Sequence, residues 1–383
     1  MDLALTPEQE ATKRTVAEWV DAVVVPTAIR NDREERFPQE ALDGLKRDGW
    51  VGLTIAEEYG GGGADPLTYC LVIEELGRGD ANVRSLLSVH LGLVAGSINR
   101  WGTEEQKQQW LPRMATGEVL GCFCLTEPDH GSDPAGLEST AVKEGDSYRI
   151  NGSKIFITNG DIAGVALVMA RTGGEGARGV SAFLVPCDTP GFSPKPIHGK
   201  LGLRSCDTAE IALDDVIVPA TALLGQEGDG IKVALSALDD GRMSLAASCT
   251  GLGQAAVDAM VSYAKQREQF GRPIAGFQLV QELIADTAVE VEAARLLTWR
   301  VADLKMRGEK YTLAASMAKF YASEMCVRAA NAAVQVHGGY GYVDEFVVGK
   351  LLRDSRVTTL YEGTSQVQKL LIGRALTGIS AFT

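Results

Sequence analysis

A single carboxylate near the end of the chain stands in a context suited to proton transfer. Glu362 lies between Tyr361 and the pair Gly363-Thr364, which reads as the start of a helix. A carboxylate beside an aromatic ring and partly shielded from water has a raised pKa. A raised pKa brings the group toward the range of a useful general base. The pattern therefore makes Glu362 the candidate catalytic residue.

A second segment, residues 124–133, has the composition of a phosphate-binding turn. It reads as a strand that runs into Gly131-Ser132-Asp133, where backbone amides and a hydroxyl group supply donors. Successive donors of this kind form a concavity that holds an anion.

Asn151-Gly152 predicts a β-hairpin, because this pair readily adopts the positive φ angles of a type I′ turn. In the strand that follows, side chains alternate between faces, so we expect Phe156 and Thr158 to share one face. An aromatic ring beside a hydroxyl group suits a planar heterocycle. Each feature alone is also typical of an ordinary half-buried strand.

The composition is that of a globular protein with a large core. The chain has 383 residues, 45% hydrophobic content and a formal net charge of -13. This charge argues against nucleic acid as a partner, since binding to phosphates requires clustered Lys and Arg. No apolar run reaches the roughly 18 residues of a membrane span. The N-terminus also lacks the pattern of a signal peptide, so we expect a cytoplasmic protein that does not bind membranes.

The cysteines favour neither a disulfide framework nor a metal site. They are scattered and number seven, whereas a framework requires pairs. Cys122 and Cys124 fall on one face of a strand, but no histidine or cysteine pair completes a ligand set. We therefore expect no bound metal.

Secondary-structure signals divide the chain into three segments. Helical signals begin with a capping box at Thr6 and Gln9 and continue to about residue 117. Between about 119 and 228, β-branched and aromatic runs alternate with turn residues, which indicates an antiparallel β domain. Long helical patterns then follow at about 231–268, from Phe277 onward and at about 312–336. The predicted protein is mainly α with a middle antiparallel β domain, and its domains are residues 1–118, 119–228 and 229–383.

Six ordered segments together resemble the acyl-CoA dehydrogenase family over essentially the full length of the chain. They are Leu125 to Pro128 with Gly131 to Asp133, Lys154 to Gly160, Leu238 to Arg242, Arg267 to Gly271 with Gln278, Gln335 to Gly339, and Tyr361 to Gln366. The resemblance implies an N-terminal helical domain, a middle β-barrel or sandwich and a C-terminal four-helix bundle. It also implies tightly bound FAD and a homotetramer or homodimer.

The same resemblance implies which residues hold FAD. Those expected to line the flavin and its pyrophosphate from one subunit are Phe123, Leu125, Thr126, Gly131, Ser132, Phe156, Ile157 and Thr158, with Thr364 and Gln366 at the start of the last helix. Those expected to reach the FAD of a neighbouring subunit are Arg267, Phe270, Gln278, Gln335, Val336 and Gly339. An arginine suits a diphosphate, because its guanidinium donates several hydrogen bonds at once.

The implied reaction removes two hydrogens from Cα and Cβ of an acyl thioester. Glu362 would take the α proton while hydride leaves Cβ for the flavin N5. Its backbone N–H, with a ribityl hydroxyl of FAD, would polarise the thioester carbonyl. Other family members carry the base at the position of Gly241, where this chain has no side chain. Substrate contacts are expected from Ser132, Asp239, Arg242, Tyr361 and Gly363.

The motifs leave the acyl group open. Most of them resemble short-chain dehydrogenases and favour a short or branched acyl chain. The segment Val83 to Ser88 instead resembles glutaryl-CoA dehydrogenases, in which Arg and Ser at the Arg84 and Ser88 positions hold a distal carboxylate. A buried arginine without an anion is costly, so a pocket-facing Arg84 would imply an acidic acyl chain.

The carrier and the electron acceptor are open as well. An acyl carrier protein thioester could replace acyl-CoA as the substrate. Electron transfer flavoprotein is the expected acceptor by analogy, and an oxidase of the same fold that passes electrons to O₂ is the alternative.

Overall fold

The computed structural model describes residues 4–381 and places helices on both sides of a central sheet segment. The first helix begins as expected, because Thr6 and Gln9 form a capping box. Short π-helical stretches follow at Val20–Val24 and Val89–Ala95. The helices before the sheet are α1 (Pro7–Trp19), α2 (Val25–Glu34), α3 (Gln39–Arg47), α4 (Pro66–Gly79), α5 (Ala81–Ser88), α6 (Gly96–Trp101) and α7 (Glu104–Ala115).

The central segment forms a sheet whose strands run in the order β6-β7-β3-β2-β4-β5-β8, with β1 also beside β4. Most neighbours are antiparallel, as predicted, but β1 pairs with β4 in parallel and β2 meets β4 in parallel at one residue pair. The strands are β1 (Gly121–Cys124), β2 (Thr140–Glu144), β3 (Ser147–Thr158), β4 (Val165–Arg171), β5 (Val180–Pro186), β6 (Phe192–Pro196), β7 (Thr208–Pro219) and β8 (Leu223–Leu224).

The predicted hairpin at Asn151-Gly152 is wrong. These residues lie inside β3, and the chain turns earlier, at Gly145 and Asp146 between β2 and β3. Gly152 instead belongs to a bulge against β7, with φ of +146°. A Cβ atom there would lie 2.2 Å from the Oγ of Ser139. Glycine is therefore required here by a bulge and by a close contact. The Asn-Gly pair alone does not distinguish such a bulge from a turn.

The helices after the sheet confirm the three predicted long patterns. A two-stranded ribbon of β9 (Glu268–Gln269) and β10 (Arg272–Pro273) separates the first two. The helices are α8 (Gly230–Gln266), α9 (Gln278–Met306), α10 (Thr312–His337), α11 (Val348–Val357) and α12 (Ser365–Thr377). The predicted domain boundaries at 118/119 and 228/229 remain predictions.

The helices of the two outer segments share one hydrophobic core, and the sheet has a second. In the shared core α4 crosses α8 closely. A Cβ atom on Gly251 would lie 1.9 Å from the carbonyl oxygen of Glu74, so only glycine permits this approach. The N-terminal helices are thereby fixed against the helix that carries Asp239, Gly241 and Arg242.

The expectations about disulfides, a metal site and membrane spans are compared here with residues 4–381. All seven cysteines are free. No cluster of potential metal ligands occurs in this part of the chain. Among the helices described here, none has the length and apolarity needed to cross a membrane.

Candidate active site

Glu362 lies in the short loop between α11 and α12, on a left-handed backbone. Its φ is +56° and that of Gly363 is +88°, and a left-handed non-glycine residue costs about 1–2 kcal/mol. Thr364 then caps α12, because its side chain accepts the N–H of Val367 at 3.2 Å. The candidate base thus stands at the centre of a strained turn that opens a helix.

Side-chain donors from three helices hold the carbonyl groups of this turn. Gln368 Nε2 donates to the carbonyl oxygens of Glu362 at 3.1 Å and of Gly363 at 3.2 Å. Lys319 Nζ also donates to the Gly363 oxygen, at 2.7 Å. Arg242 Nε approaches the Glu362 oxygen at 3.4 Å. These contacts stabilise a backbone conformation that glutamate would otherwise avoid.

One carboxylate oxygen of Glu362, a half-buried residue, is shielded from solvent and has no hydrogen-bond donor. This oxygen is Oε2, and nothing within residues 4–381 donates to it. Burial raises the pKa of Glu362, while the nearby cations Arg84, Lys319 and Arg242 act in the opposite direction. A dry, unpaired carboxylate with a raised pKa has the properties of a general base.

Gly241 on α8 makes room for this carboxylate. A Cβ atom on Gly241 would lie 2.4 Å from Oε2 of Glu362 and 3.0 Å from Cδ2 of Leu93. A side chain at position 241 and this conformation of Glu362 therefore exclude each other. The structure thus gives a steric reason for glycine at position 241.

Arg84 on α5 faces the interior beside Glu362. It is 2% exposed, and its Nη2 donates to the hydroxyl oxygen of Tyr361 at 2.7 Å. Its Nε has no acceptor among the described residues. Since Tyr361 directly precedes Glu362, this hydrogen bond places Arg84 next to the Glu362 loop, and substrate contacts of Arg84 and Tyr361 remain a prediction.

Ser88, one helical turn after Arg84, ends a buried chain of hydroxyl groups. The hydroxyl of Tyr69 donates to Ser244 Oγ at 3.1 Å, and Ser244 Oγ donates to Ser88 Oγ at 2.8 Å. These residues connect α4, α8 and α5 through otherwise apolar packing. Sequence patterns give no signal for Tyr69 or Ser244, because neither lies in a recognisable motif.

Asp239 and Arg242 form an ion pair next to the same loop. Arg242 Nη1 lies 2.8 Å from Asp239 Oδ1, and Thr312 Oγ1 donates to Asp239 Oδ2 at 2.6 Å. Burial raises the pKa of Asp239, while the hydrogen bond from Thr312 and the charge of Arg242 act to lower it. The spacing of three residues on α8 therefore produces the expected neighbourhood of Asp239, Arg242 and Glu362.

Ser132 is not part of this group. Gly131 and Ser132 are exposed in the turn after β1, and no hydrogen bond in the described part of the chain joins Ser132 to the residues around Glu362. The turn is packed by His130, since a Cβ atom on Gly136 would lie 2.7 Å from Nδ1 of His130. Contacts of Ser132 with FAD or substrate remain a prediction.

The residues expected on the flavin side lie on β1, on the loop after it and on β3. The backbone N–H of Ile155 donates to the carbonyl of Thr126 at 2.9 Å, which ties that loop to β3. Phe156 has φ of +59° and is 67% exposed. Thr158, at the end of β3, is half-buried. Phe123 on β1 and Thr126 in the loop after β1 are half-buried too.

The alternation of faces along β3 is interrupted before Ile157, while Phe156 and Thr158 are both more exposed than Ile157 between them. Lys154 and Ile157, three residues apart, are both buried, because a register shift interrupts the strand between them at Phe156. The side chain of Ile157 belongs to the core of the sheet. Ile157 therefore has only its backbone to offer a cofactor. Leu125 is also buried, in the helical core.

A cavity of about 640 Å³ at the ends of α8 and α10 is lined by three of the residues expected to reach a neighbouring FAD. They are Arg267, Val336 and Gly339. Phe270 is 93% exposed in the β9–β10 ribbon. Gln278, Gln335 and Gln366 are exposed too, on the first turn of α9, the last turn of α10 and the first turn of α12.

The family can now be named: the chain belongs to the acyl-CoA dehydrogenases. Family models match its N-terminal domain at residues 6–118, its middle domain at residues 122–216 and its C-terminal domain at residues 228–377. These enzymes are FAD-dependent oxidoreductases that dehydrogenate acyl-CoA, so the expected family, fold and cofactor are confirmed.

The sequence similarity to individual relatives extends over nearly the whole length of the chain. The chain is 42% identical to a short-chain specific acyl-CoA dehydrogenase of Clostridium acetobutylicum, with 97% of this chain and 98% of the relative covered. A solved structure of the electron transferring flavoprotein of Acidaminococcus fermentans contains a chain that is 42% identical, with a TM-score of 0.97 and coverage of 98% and 100%. A glutaryl-coenzyme A dehydrogenase in complex with glutaryl-CoA is 38% identical, with a TM-score of 0.95 and coverage of 99% and 97%.

The residues present fit FAD. Phe156 offers an exposed aromatic ring, and Thr158 offers a hydroxyl group nearby on β3. The cavity beside Arg267 has the cationic side chain and the exposed glycine backbone that a dinucleotide requires.

Proposed function

We propose that the protein dehydrogenates a short acyl thioester between Cα and Cβ, with Glu362 as the base that takes the α proton. The observation that carries this proposal is the buried Oε2 of Glu362, which has no donor in the described chain although three cations lie nearby. Burial raises the pKa of Glu362 against the opposing effect of these cations, and Oε2 remains free to accept a proton.

The backbone of Glu362 supports a second role. Its N–H has no acceptor within residues 4–381, and the donors on the carbonyl side hold this peptide in place. A fixed, unoccupied N–H stabilises charge that develops on a thioester oxygen. We propose that it polarises the thioester carbonyl as the α proton leaves.

FAD, when bound, would supply the acceptor for the hydride that leaves Cβ. The residues proposed to hold the flavin are Phe123, Leu125, Thr126, Gly131, Ser132, Phe156, Thr158, Thr364, Gln366 and the backbone of Ile157. Those proposed to bind FAD of a neighbouring subunit are Arg267, Phe270, Gln278, Gln335, Val336 and Gly339.

For the carrier, we propose that Asp239 and Arg242 contact the pantetheine arm of CoA, because their ion pair lies beside the Glu362 loop. Electron transfer flavoprotein is the proposed electron acceptor, supported by the similarity to a chain in a structure of such a flavoprotein.

A short acyl chain is supported by the short-chain specific relative. A second candidate, an acyl chain with a distal carboxylate, is favoured by one observation. Arg84 is buried beside Glu362 with Nε unpartnered, and Ser88 lies one turn away. A buried guanidinium is stabilised by an anion, and the glutaryl-CoA dehydrogenase structure is similar throughout.

The base is tested by Glu362→Gln. We expect the variant to stay yellow, because the flavin contacts are unchanged, and to lose turnover by at least ~10²-fold, as for removal of a general base. Steady-state rates with a short acyl-CoA measure this. Glu118→Gln, an exposed carboxylate in another part of the chain, is the matched control and should keep its rate. Full turnover in Glu362→Gln would eliminate this residue as the base.

The acyl group is tested by anaerobic bleaching of the flavin with short, branched and dicarboxylic acyl-CoAs. We expect a short monocarboxylic acyl-CoA to reduce the flavin fastest in the wild type. Bleaching that is fastest with a dicarboxylic acyl-CoA, and that Arg84→Gln abolishes while Arg84→Lys retains part of it, would establish the second candidate in its place.

A further inference from the structure

Lys319 on α10 is a buried lysine without a carboxylate partner. Its side chain is fully buried, and no ion pair involves it within residues 4–381. Lys350 is equally inaccessible but lies 2.8 Å from Asp80 and 2.6 Å from Asp354. Burial lowers the pKa of Lys319 to about 8. Burial acts in the same direction on Lys350, but Asp80 and Asp354 outweigh it and raise the pKa of that lysine. A desolvated ammonium without a counter-ion destabilises a fold, so stability alone does not account for Lys319.

The one hydrogen bond that the structure gives Lys319 leads to the active-site turn. Its Nζ donates to the carbonyl oxygen of Gly363 at 2.7 Å. That oxygen lies one residue beyond Glu362, in the left-handed pair that Gln368 also holds. Lys319 therefore contacts the backbone next to the base and leaves the carboxylate free.

The charges around Glu362 are not equally compensated. Arg242 is neutralised by Asp239 at 2.8 Å, while Arg84 donates to the neutral hydroxyl of Tyr361 and Lys319 to a neutral carbonyl. The titratable and charged groups that act on Glu362 or Lys319 from the packed elements are Arg84 on α5, Asp239, Arg242 and Cys249 on α8, Glu324 on α10 and Tyr361 in the loop.

We propose that Lys319 is a positioning residue, whose ammonium fixes the Gly363 peptide and supplies an uncompensated positive charge that keeps the Glu362 carboxylate ionised in a dry pocket. The inference rests on the proposed role of Glu362 as the base. An ammonium in direct contact would occupy the oxygen that must take the proton. Held on the neighbouring carbonyl, it favours the ionised form and leaves Oε2 available.

The test is the pH dependence of kcat/KM in the FAD-loaded Lys319→Met enzyme. Loss of a positive charge raises the pKa of the base, so we expect the acid limb of the profile to move to higher pH by about one unit. At a pH on that limb the rate then falls about tenfold, while the plateau at higher pH stays within about threefold. Lys319→Arg, which keeps the charge, should restore the wild-type limb.

The control separates charge from simple destabilisation. Ala315→Gly lies one turn away on the buried face of α10 and lowers helix stability by about 1 kcal/mol without changing charge. We expect it to lower the melting temperature and to leave the acid limb in place. If Lys319→Met does not fold, Lys319→Gln carries the same test, since it removes the charge and retains a donor for the Gly363 carbonyl.

Two outcomes are decisive against the inference, and they are distinguishable. An unmoved acid limb in the neutral variants, with Glu362→Gln inactive, overturns the role of Lys319 and leaves Glu362 as the base. Full activity of Glu362→Gln overturns the proposed role of Glu362 as the base. The acid limb of the kcat/KM profile would then not report the titration of Glu362.

Discussion

Burial and charge act on Glu362 in opposite directions, and their balance decides whether it can serve as a base. Desolvation raises its pKa, and Arg84, Lys319 and Arg242 lower it. Each of these cations is hydrogen bonded to another group, so none neutralises the carboxylate by contact. The side chain therefore keeps a free oxygen, and the net effect on its pKa is upward.

This balance predicts a pH-dependent stability difference between the wild type and Glu362→Gln. Because the pKa of Glu362 is raised on folding, the folded protein binds more protons, and wild-type stability falls as pH rises from the value of a free carboxyl through the raised pKa. Glutamine does not ionise. We expect the free energy of unfolding of Glu362→Gln, relative to that of the wild type, to rise by about 1 kcal/mol from acid to neutral pH. Thermal unfolding at several pH values measures this difference. A gain that is constant with pH would mean that Glu362 does not titrate in this range.

The sequence predicts the carboxylate and several of its neighbours, because a motif marks each of them. Glu362, Asp239, Arg242 and Arg84 all lie in the recognised segments and meet at one place. Lys319 does not, although it falls on the apolar stripe of α10 next to Ala315 and Ala322. A charged residue on a buried helix face was the available signal, and only the packing of α10 against the loop shows its partner.

Among the helices and strands, long proline-free patterns are predicted well and irregular backbone poorly. α8 and α10 begin and end within a few residues of their predicted positions, and α9 begins one residue after Phe277. The error at Asn151-Gly152 arises at a register shift of β3 against β7, and a second register shift lies between Lys154 and Ile157. A bulge depends on the partner strand, so the local sequence does not reveal it.

Helix α8 carries two glycines that are required for different reasons. At Gly241 an added methyl group meets the flexible end of Glu362, whereas at Gly251 it meets the backbone of α4. We expect Gly241→Ala to fold normally but to lose turnover by about tenfold or more, because the carboxylate must move. We expect Gly251→Ala to unfold at a clearly lower temperature. Melting curves and rates for both variants check this, and equal effects on stability would contradict it.

For the molecule as a whole, the exposed apolar side chains of α9 predict an oligomer. Leu279, Val289, Leu296 and Met306 are all exposed, and Phe270 extends from the adjoining ribbon. We propose a homotetramer or homodimer, in which this surface is covered and the cavity beside Arg267 meets the FAD of a neighbour.

Light scattering coupled to size exclusion tests this proposal. We expect a mass well above the 40.8 kDa of one chain. Leu279→Glu with Val289→Glu should lower the mass and the FAD content together, since burying the added charges is unfavourable. Val142→Glu, at an exposed apolar residue of β2, is the matched control. A wild type that elutes as a single chain, with full FAD content, would contradict the proposal.

The core shared by the helices before Gly121 and after Gly230 has a consequence for synthesis. α1 through α7 leave the ribosome long before α8, against which α4 and α5 pack, and before the Glu362 turn. The apolar faces that these helices present to α8 therefore stay uncovered until that helix has been made. A product that stops before α8 is complete has no closed core, so such incomplete chains are recognisable by the apolar surface they expose.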